Sequence, residues 1–320
     1  MSFIEKALQR LKQQEETMVP LGRLDPADSP PTQPPSPEVS PSGSTVVATP
    51  AVAEAAPTLP RPATTRRGKL VSIDRQRLRE EGFLAPDEYQ RRMADEYRRI
   101  KRPLIAHAFG IGATKIDKGN LILVSSAVSG EGKTHTCINL ALSLATERDR
   151  TVLLVDGDVP KPHISRLFGI DQEPGLLDVL GDDPPPLEDV LVRTDIPRLT
   201  ALPAGRWNAH ATELLASERM RRLCEELASR YPDRVILFDS PPMLAATEAQ
   251  AIAATVGQVV LVIAENSTAR DDVRNALSLI DEQTPVNAIL NKSRVAAKSA
   301  YYGGYGYGYG DKPEQPPEEQ

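Results

Sequence analysis

Cysteine is nearly absent from this chain: two of its 320 residues are Cys, at positions 137 and 224. Both fall inside expected helices, which excludes a disulfide framework or a cysteine-rich metal site and leaves them as buried thiols. An excess of basic charge is missing too. The formal net charge is −6, so there is no positive field to hold nucleic acid. No apolar run reaches the roughly 18 to 20 residues that span a bilayer, and the N-terminus has no signal-peptide core. These absences lead to the expectation of a cytoplasmic chain. What the sequence has in quantity is proline, 29 residues of it, enough for one large domain plus a good deal of unfolded sequence.

The chain divides by composition. Ser2-Phe3-Ile4-Glu5 has the form of a capping box, and Phe3, Ile4, Ala7, Leu8 and Leu11 make one apolar stripe, so residues 1–17 are predicted to form a short amphipathic helix. Such a helix docks on a partner or a membrane surface, or packs on the main domain. Residues 18–67 are rich in Pro, Ala, Ser and Thr and are expected to form a disordered tether. Structure is expected to resume over 68–294, leaving a disordered tail at 295–320.

Leu121 to Ser126 is an apolar run of strand length, and Thr136 to Arg148 has helical periodicity. Between them lies Ala127-Val128-Ser129-Gly130-Glu131-Gly132-Lys133-Thr134, a Walker A spacing in which Ala127 replaces the first glycine. Gly130 and Gly132 let the backbone wrap phosphate oxygens, and the following helix N-terminus adds aligned N–H groups. Lys133 can reach the β- and γ-phosphates, and the Thr134 hydroxyl can ligate magnesium. Ser129 to His135 are the candidate nucleotide contacts, with ATP and Mg2+ as the implied ligands.

Further on, apolar strands at Thr151 to Asp156, Arg198 to Leu202, Arg234 to Asp239, Gln258 to Ala264 and Val286 to Leu290 alternate with helical stretches. The helices are expected at Ile164 to Leu167, Leu176 to Leu180, Ala211 to Arg230, Thr247 to Ala254 and Thr268 to Asp281, with two more before the loop at Arg75 to Glu81 and Pro86 to Ile105. The pattern predicts an α/β fold, a mostly parallel sheet flanked by helices, with ligands at the carboxyl ends of strands. Asp156, Asp158 and Asp239 close two of those strands, so they should converge with the glycine loop. Asp239 has the form of a Walker B carboxylate. Asp156 and Asp158 alternate along an extended segment, so at least one should face the nucleotide. Asn291, at the end of the last strand, is read either as a base contact or as a turn residue.

Four motifs together resemble the bacterial tyrosine kinases built on a P-loop ATPase fold, an architecture shared with septum-site and partition ATPases. They are the Walker A loop, Val-Leu-Leu-Val-Asp156-Gly-Asp158, Phe238-Asp239-Ser-Pro-Pro, and the cluster Tyr301, Tyr302, Tyr305, Tyr307 and Tyr309. The Ser-Phe-Ile-Glu-Lys-Ala-Leu opening is similar to the form encoded with exosortase-linked exopolysaccharide systems. The resemblance implies that Asp156 orients or deprotonates the incoming tyrosine hydroxyl, Asp158 and Asp239 hold magnesium through water, and Lys133 stabilises the transferred phosphoryl group. It implies autophosphorylation of the tail tyrosines in trans within an oligomer. It also implies a ring built through Glu96, Arg99 and Arg102 of a Glu-x-x-Arg-x-x-Arg element, though such a charge run can equally be a solvated helix face. A separate transmembrane polysaccharide chain-length regulator would activate the chain and hold it at the inner face of the plasma membrane, and a tyrosine phosphatase would reverse the reaction. The family often carries arginine where Pro160 stands; Lys161 follows it. The alternative is a non-kinase ATPase switch of the partition or septum-site type, against which stand Val128, where those chains carry lysine, and the tyrosine tail.

Overall fold

The computed structural model describes residues 68–84 and 89–293. The expected helix over 1–17, the tether over 18–67 and the tail with its five tyrosines lie outside the described residues. In chain order the elements begin with β1 (Leu70–Val71), α1 (Arg75–Glu80), α2 (Gln90–Phe109), β2 (Leu121–Ser126), α3 (Lys133–Ala145) and β3 (Thr151–Asp156). Then come α4 (His163–Leu167), α5 (Leu176–Leu180), α6 (Leu187–Val190), β4 (Val192–Thr194), β5 (Leu199–Leu202), α7 (Ala211–Leu215) and α8 (Glu218–Arg230). The last are β6 (Arg234–Asp239), α9 (Thr247–Ala253), β7 (Gln258–Ala264), α10 (Arg270–Leu277) and β8 (Val286–Asn291).

The strands form one eight-stranded sheet in the order β1-β4-β5-β3-β6-β2-β7-β8. All neighbours run parallel except β4 and β5. The central strands carry uninterrupted apolar runs, Leu121 to Val124, Val152 to Val155, Val235 to Phe238 and Val259 to Ala264, because both faces are covered. In β2, Leu121 and Leu123 point to one core and Ile122 and Val124 to the other, and β3, β6 and β7 alternate in the same way. Leu215, Leu223 and Ile252 cover the first face, while Leu104, Ile138 and Ile164 cover the second. Each such fully buried side chain contributes about 1.5 to 3 kcal/mol. Cys137 and Cys224 are both buried and unbridged. Among the described residues no helix is long and apolar enough to cross a membrane.

Several boundaries differ from the sequence expectation for local reasons. The helix expected from Ala211 to Arg230 is two helices, because Ser217 breaks it and caps the second, accepting a hydrogen bond from the Met220 N–H at 3.3 Å. The P-loop helix starts at Lys133 rather than Thr136, since its first turn carries polar residues that interrupt the apolar periodicity. The helix expected from Thr268 begins at Arg270, with the Thr268 hydroxyl accepting from the Ala264 N–H at 3.0 Å instead. The helix expected to end at Ile105 continues to Phe109 and stops at Gly110, whose φ of 70° suits glycine. Strand β4 was not anticipated, being three residues long with Arg193 at its centre.

One buried charge joins the outer helix α2 to the P-loop helix α3. Lys101 is 4% exposed. Its ammonium donates to the Ser143 carbonyl at 2.7 Å and the Thr146 hydroxyl at 3.1 Å, and pairs with Glu147 at 2.7 Å. Hydrogen bonds to a charged group are worth about 1.5 to 3 kcal/mol. Lys101→Met is accordingly expected to lower the melting temperature by about 5 °C, which differential scanning calorimetry would measure; an unchanged value would show the tie to be dispensable.

Candidate active site

The glycine loop leaves β2 at Ser126, whose hydroxyl donates to the Val128 carbonyl at 2.8 Å. Ser129 and Gly130 form an exposed crest, while Ala127 and Glu131 on its flanks are buried. Glu131 braces the loop from within. Its carboxylate accepts from the Val128 N–H at 2.8 Å and from the Thr268 hydroxyl, so it can offer a phosphate only its backbone. Gly132 has φ 98°, and a Cβ there would meet the Asn291 amide nitrogen at 2.2 Å. That amide donates to the Glu131 carbonyl at 2.8 Å, and Lys292 donates to the Gly130 carbonyl at 2.6 Å. Asn291 is thus engaged with the loop itself. No side chain caps α3, so the N–H groups of its first turn are available to an anion.

The carboxylates arrive on neighbouring strands. Asp156 and Asp239 are register partners across β3 and β6, and neither is exposed at all. Gly157 allows the close approach: its N–H donates to the Asp239 carbonyl at 2.8 Å, and a Cβ would sit 2.6 Å from that oxygen. The two acidic residues of Asp-Gly-Asp diverge. Asp158 turns to the loop, where Lys133 donates to it at 3.0 Å. Asp156 turns to α4, where one of its oxygens accepts from both the Ser165 N–H and the Ser165 hydroxyl at 2.7 Å, and the same hydroxyl oxygen accepts from the Ala204 N–H at 3.1 Å. The remaining oxygen of Asp156 and both oxygens of Asp239 are buried without a hydrogen-bond partner.

These environments set the proton affinities. Burial pushes Asp239 up to about 8, with Lys133 drawing it back and Asp156 adding to the rise. Burial likewise raises Asp156 to about 6 against the two Ser165 hydrogen bonds. For Lys133, burial acts to lower the pKa, but Asp239, Asp158 and Asp156 together outweigh it and the ammonium is held charged.

Among the described residues, no group of three or more His, Cys, Asp or Glu is arranged to hold a metal directly. The donor set instead suits magnesium, which keeps its waters and takes one or two carboxylates with substrate phosphates. The orphaned, buried oxygens of Asp239 fit such a hydrated cation, and the Thr134 hydroxyl lies 3.4 Å from the Lys133 nitrogen.

Other expected site residues fall elsewhere. The His135 ring stacks on Phe83 with centroids 6.2 Å apart, and burial lowers its pKa. Lys161 is exposed, and its backbone N–H closes a turn on the Asp158 carbonyl at 2.9 Å. Glu96, Arg99 and Arg102 are exposed on α2, and Glu96 pairs with Arg92 at 3.0 Å. Ser165, Thr268 and Lys292 escaped the sequence reading; Ser165 lies within the short helix α4 and the other two in connecting segments, and each touches the site only through the fold.

A family model described as an AAA domain matches residues 119–292. YwqD, a tyrosine-protein kinase of Bacillus subtilis strain 168, is 30% identical over 187 residues, which is 58% of this chain and 77% of that protein. The chain belongs to the bacterial tyrosine-protein kinase family. EpsB of Ralstonia nicotianae is 32% identical over 197 residues, 61% of this chain, so that the chain spans 25% of that longer protein. Among solved structures, the VpsO kinase domain is similar at a TM-score of 0.53 and 30% identity, over 65% of this chain and 98% of that one. The kinase domain of Escherichia coli tyrosine kinase ETK has a TM-score of 0.53 at 24% identity, over 68% of this chain and 80% of that one, a likeness of fold.

Two measurements test this site in a member of the family. The folded state keeps the Asp239 proton up to about pH 8, whereas an unfolded Asp releases it near 3.9. The folded state therefore binds more protons between those values, and its stability falls as pH rises through them. Asp239→Asn is expected to raise the melting temperature of the nucleotide-free protein by about 5 °C near pH 8.5, with a smaller gain near pH 5; a gain independent of pH would contradict the assignment. Glu131→Ala, by unbracing the loop, is expected to raise the ATP dissociation constant about tenfold in calorimetric titration.

Proposed function

We propose that the chain is an ATP-dependent protein-tyrosine autokinase that phosphorylates tyrosines 301, 302, 305, 307 and 309 of a neighbouring copy and thereby regulates exopolysaccharide synthesis or export. The observation that carries this reading is the meeting of Lys133, Asp156, Asp158 and Asp239 beside an uncapped P-loop helix. Phosphoryl transfer asks for positioning and charge stabilisation more than for covalent chemistry, and these groups supply both.

In this reading the loop N–H groups and Lys133 hold the β- and γ-phosphates, which take the place of Asp158 as the partner of the lysine. Magnesium, held by Thr134 and, through water, by Asp158 and Asp239, would neutralise phosphate charge. Asp156 accepts the proton of the tyrosine hydroxyl as its oxygen attacks the γ-phosphorus and the bond to the bridging β–γ oxygen breaks, releasing ADP. A pKa of about 6 leaves Asp156 largely ionised at neutral pH, as a base must be. Its complete burial means that the hydroxyl reaches it only once the crevice has opened.

Glu96, Arg99 and Arg102 form the candidate ring contact. Their exposure supports it, as does a cavity of about 340 Å3 beside Glu96 and Arg99 that is walled by Ile289 and Leu290 of edge strand β8. A transmembrane chain-length regulator is proposed as the activator that holds the chain at the inner membrane face, and a tyrosine phosphatase as its antagonist.

Incubation with labelled ATP and magnesium, with the activator's cytoplasmic segment supplied, tests the reading. Phosphotyrosine is expected on the full chain, reduced at least about a hundredfold by Lys133→Met and lost on truncation before Tyr301. Absence of any label on tyrosine would sink the kinase reading in favour of an ATPase switch.

A further inference from the structure

The opposite end of the sheet carries a second, unassigned site. A cavity of about 720 Å3 opens where β3 and β6 begin, lined among others by Thr151, Arg193, Arg198, Tyr231 and Arg234. Strands of six residues, rising about 3.3 Å each, place it roughly 20 Å from the glycine loop.

Its arginines are not used up by the fold. Arg193, at the centre of β4, makes no side-chain hydrogen bond or ion pair among the described residues. Arg198 spends its Nε on the Ala145 carbonyl at 3.2 Å, leaving two terminal nitrogens. It does so from the β4–β5 turn at φ 66°, a conformation uncommon outside glycine. Arg234 lies 3.9 Å over the Tyr231 ring, which fixes its plane, and one of its terminal nitrogens is buried without a partner. Its Nε has only a 3.4 Å contact with the Thr151 hydroxyl. Burial lowers the Arg234 pKa despite Tyr231 and Asp233 nearby, the mark of a charge short of counter-charge.

The carboxylates at the cavity are already engaged. Asp195 receives the Ser72 hydroxyl at 3.2 Å, the Ile73 N–H at 3.1 Å and Arg75 at 2.9 Å. Glu188 faces Arg230 at 3.8 Å, and Arg230 also pairs with Glu226 at 2.7 Å. Three arginines that make no ion pair among the described residues therefore line one open cleft. The volume falls within the range of small-molecule pockets, about 300 to 1,000 Å3, and guanidinium groups suit bidentate contact with phosphate oxygens.

We propose that this cavity binds a small molecule bearing a diphosphate group, held by Arg193, Arg198 and Arg234. The assignment does not rest on the kinase reading, since no residue of the glycine loop takes part.

Calorimetric titration of the full chain with inorganic pyrophosphate tests it, using Lys133→Met to weaken the glycine loop. The Lys133→Met protein is expected to bind one equivalent, and adding Arg193→Gln and Arg198→Gln, both at solvent-accessible positions, is expected to weaken that binding at least tenfold with an unchanged circular dichroism spectrum. Arg193→Gln alone, which removes no contact within the fold, is expected to weaken it several-fold. Loss of all binding in Lys133→Met alone, or equal binding with and without the arginines, would overturn the proposal. A nucleoside diphosphate sugar, esterified at both ends of its diphosphate, distinguishes the source. Tighter binding than pyrophosphate identifies an organic diphosphate, and weaker binding identifies pyrophosphate itself; either ranking upholds the site if the arginine variants reduce it.

Discussion

Asp156 and Asp239 stand side by side at the ends of neighbouring strands, both shut off from water. The strand register fixes them there, so neither can move away without breaking the centre of the sheet. Like charges in a dry site raise each other's proton affinity, and Lys133 is the cation that faces them. Counting Asp158, three carboxylates meet one ammonium. A fold selected for stability alone would not keep such an imbalance, because buried charges are costly unless matched. The imbalance is relieved within the protein itself, since burial keeps the Asp239 carboxyl protonated up to about pH 8 and Lys133 pairs with Asp158 at 3.0 Å.

That imbalance dictates how the loop is built. An anion-binding loop beside acids must hold its N–H groups outward without help from the ligand. Glu131 does this from inside, tying the Val128 N–H to Thr268 beyond β7, while Asn291 and Lys292 clasp the loop carbonyls from the end of β8. The crest at Ser129 and Gly130 stays open. Preorganisation of this kind reduces the entropy lost when phosphates bind.

The sequence made the frame legible because strands covered on both faces are written as uninterrupted apolar runs. β2, β3, β6 and β7 each contain such a run, extended by one or two polar residues at their ends. The loop and the three Asp residues were legible too, since their chemistry needs those residue types at strand ends. What stayed hidden depends on tertiary contact. Glu131 reads as a loop residue that could touch nucleotide, and only the packing of α10's approach shows it turned inward. His135 reads as part of the same motif, yet its ring lies against Phe83, far back in the sequence. Ser165 carries no local signal for its hold on Asp156, and β4 is too short, and too polar at its centre, to register as a strand.

Helix α3 runs from the glycine loop to the opposite end of the sheet and is matched in charge at its C-terminus. Its N-terminus, uncapped, carries the partial positive charge that phosphates would meet. At its C-terminus, Lys101 from α2 holds the Ser143 carbonyl and Arg198 from the β4–β5 turn holds the Ala145 carbonyl. Cations there favour the helix dipole, and they come from two different parts of the chain. One of those parts bears Glu96, Arg99 and Arg102; the other forms the arginine-lined cavity. The outer helix and the β4–β5 turn thus both bear on the carbonyl end of α3, clamped by a lysine and an arginine, while its other end lies open to an anion.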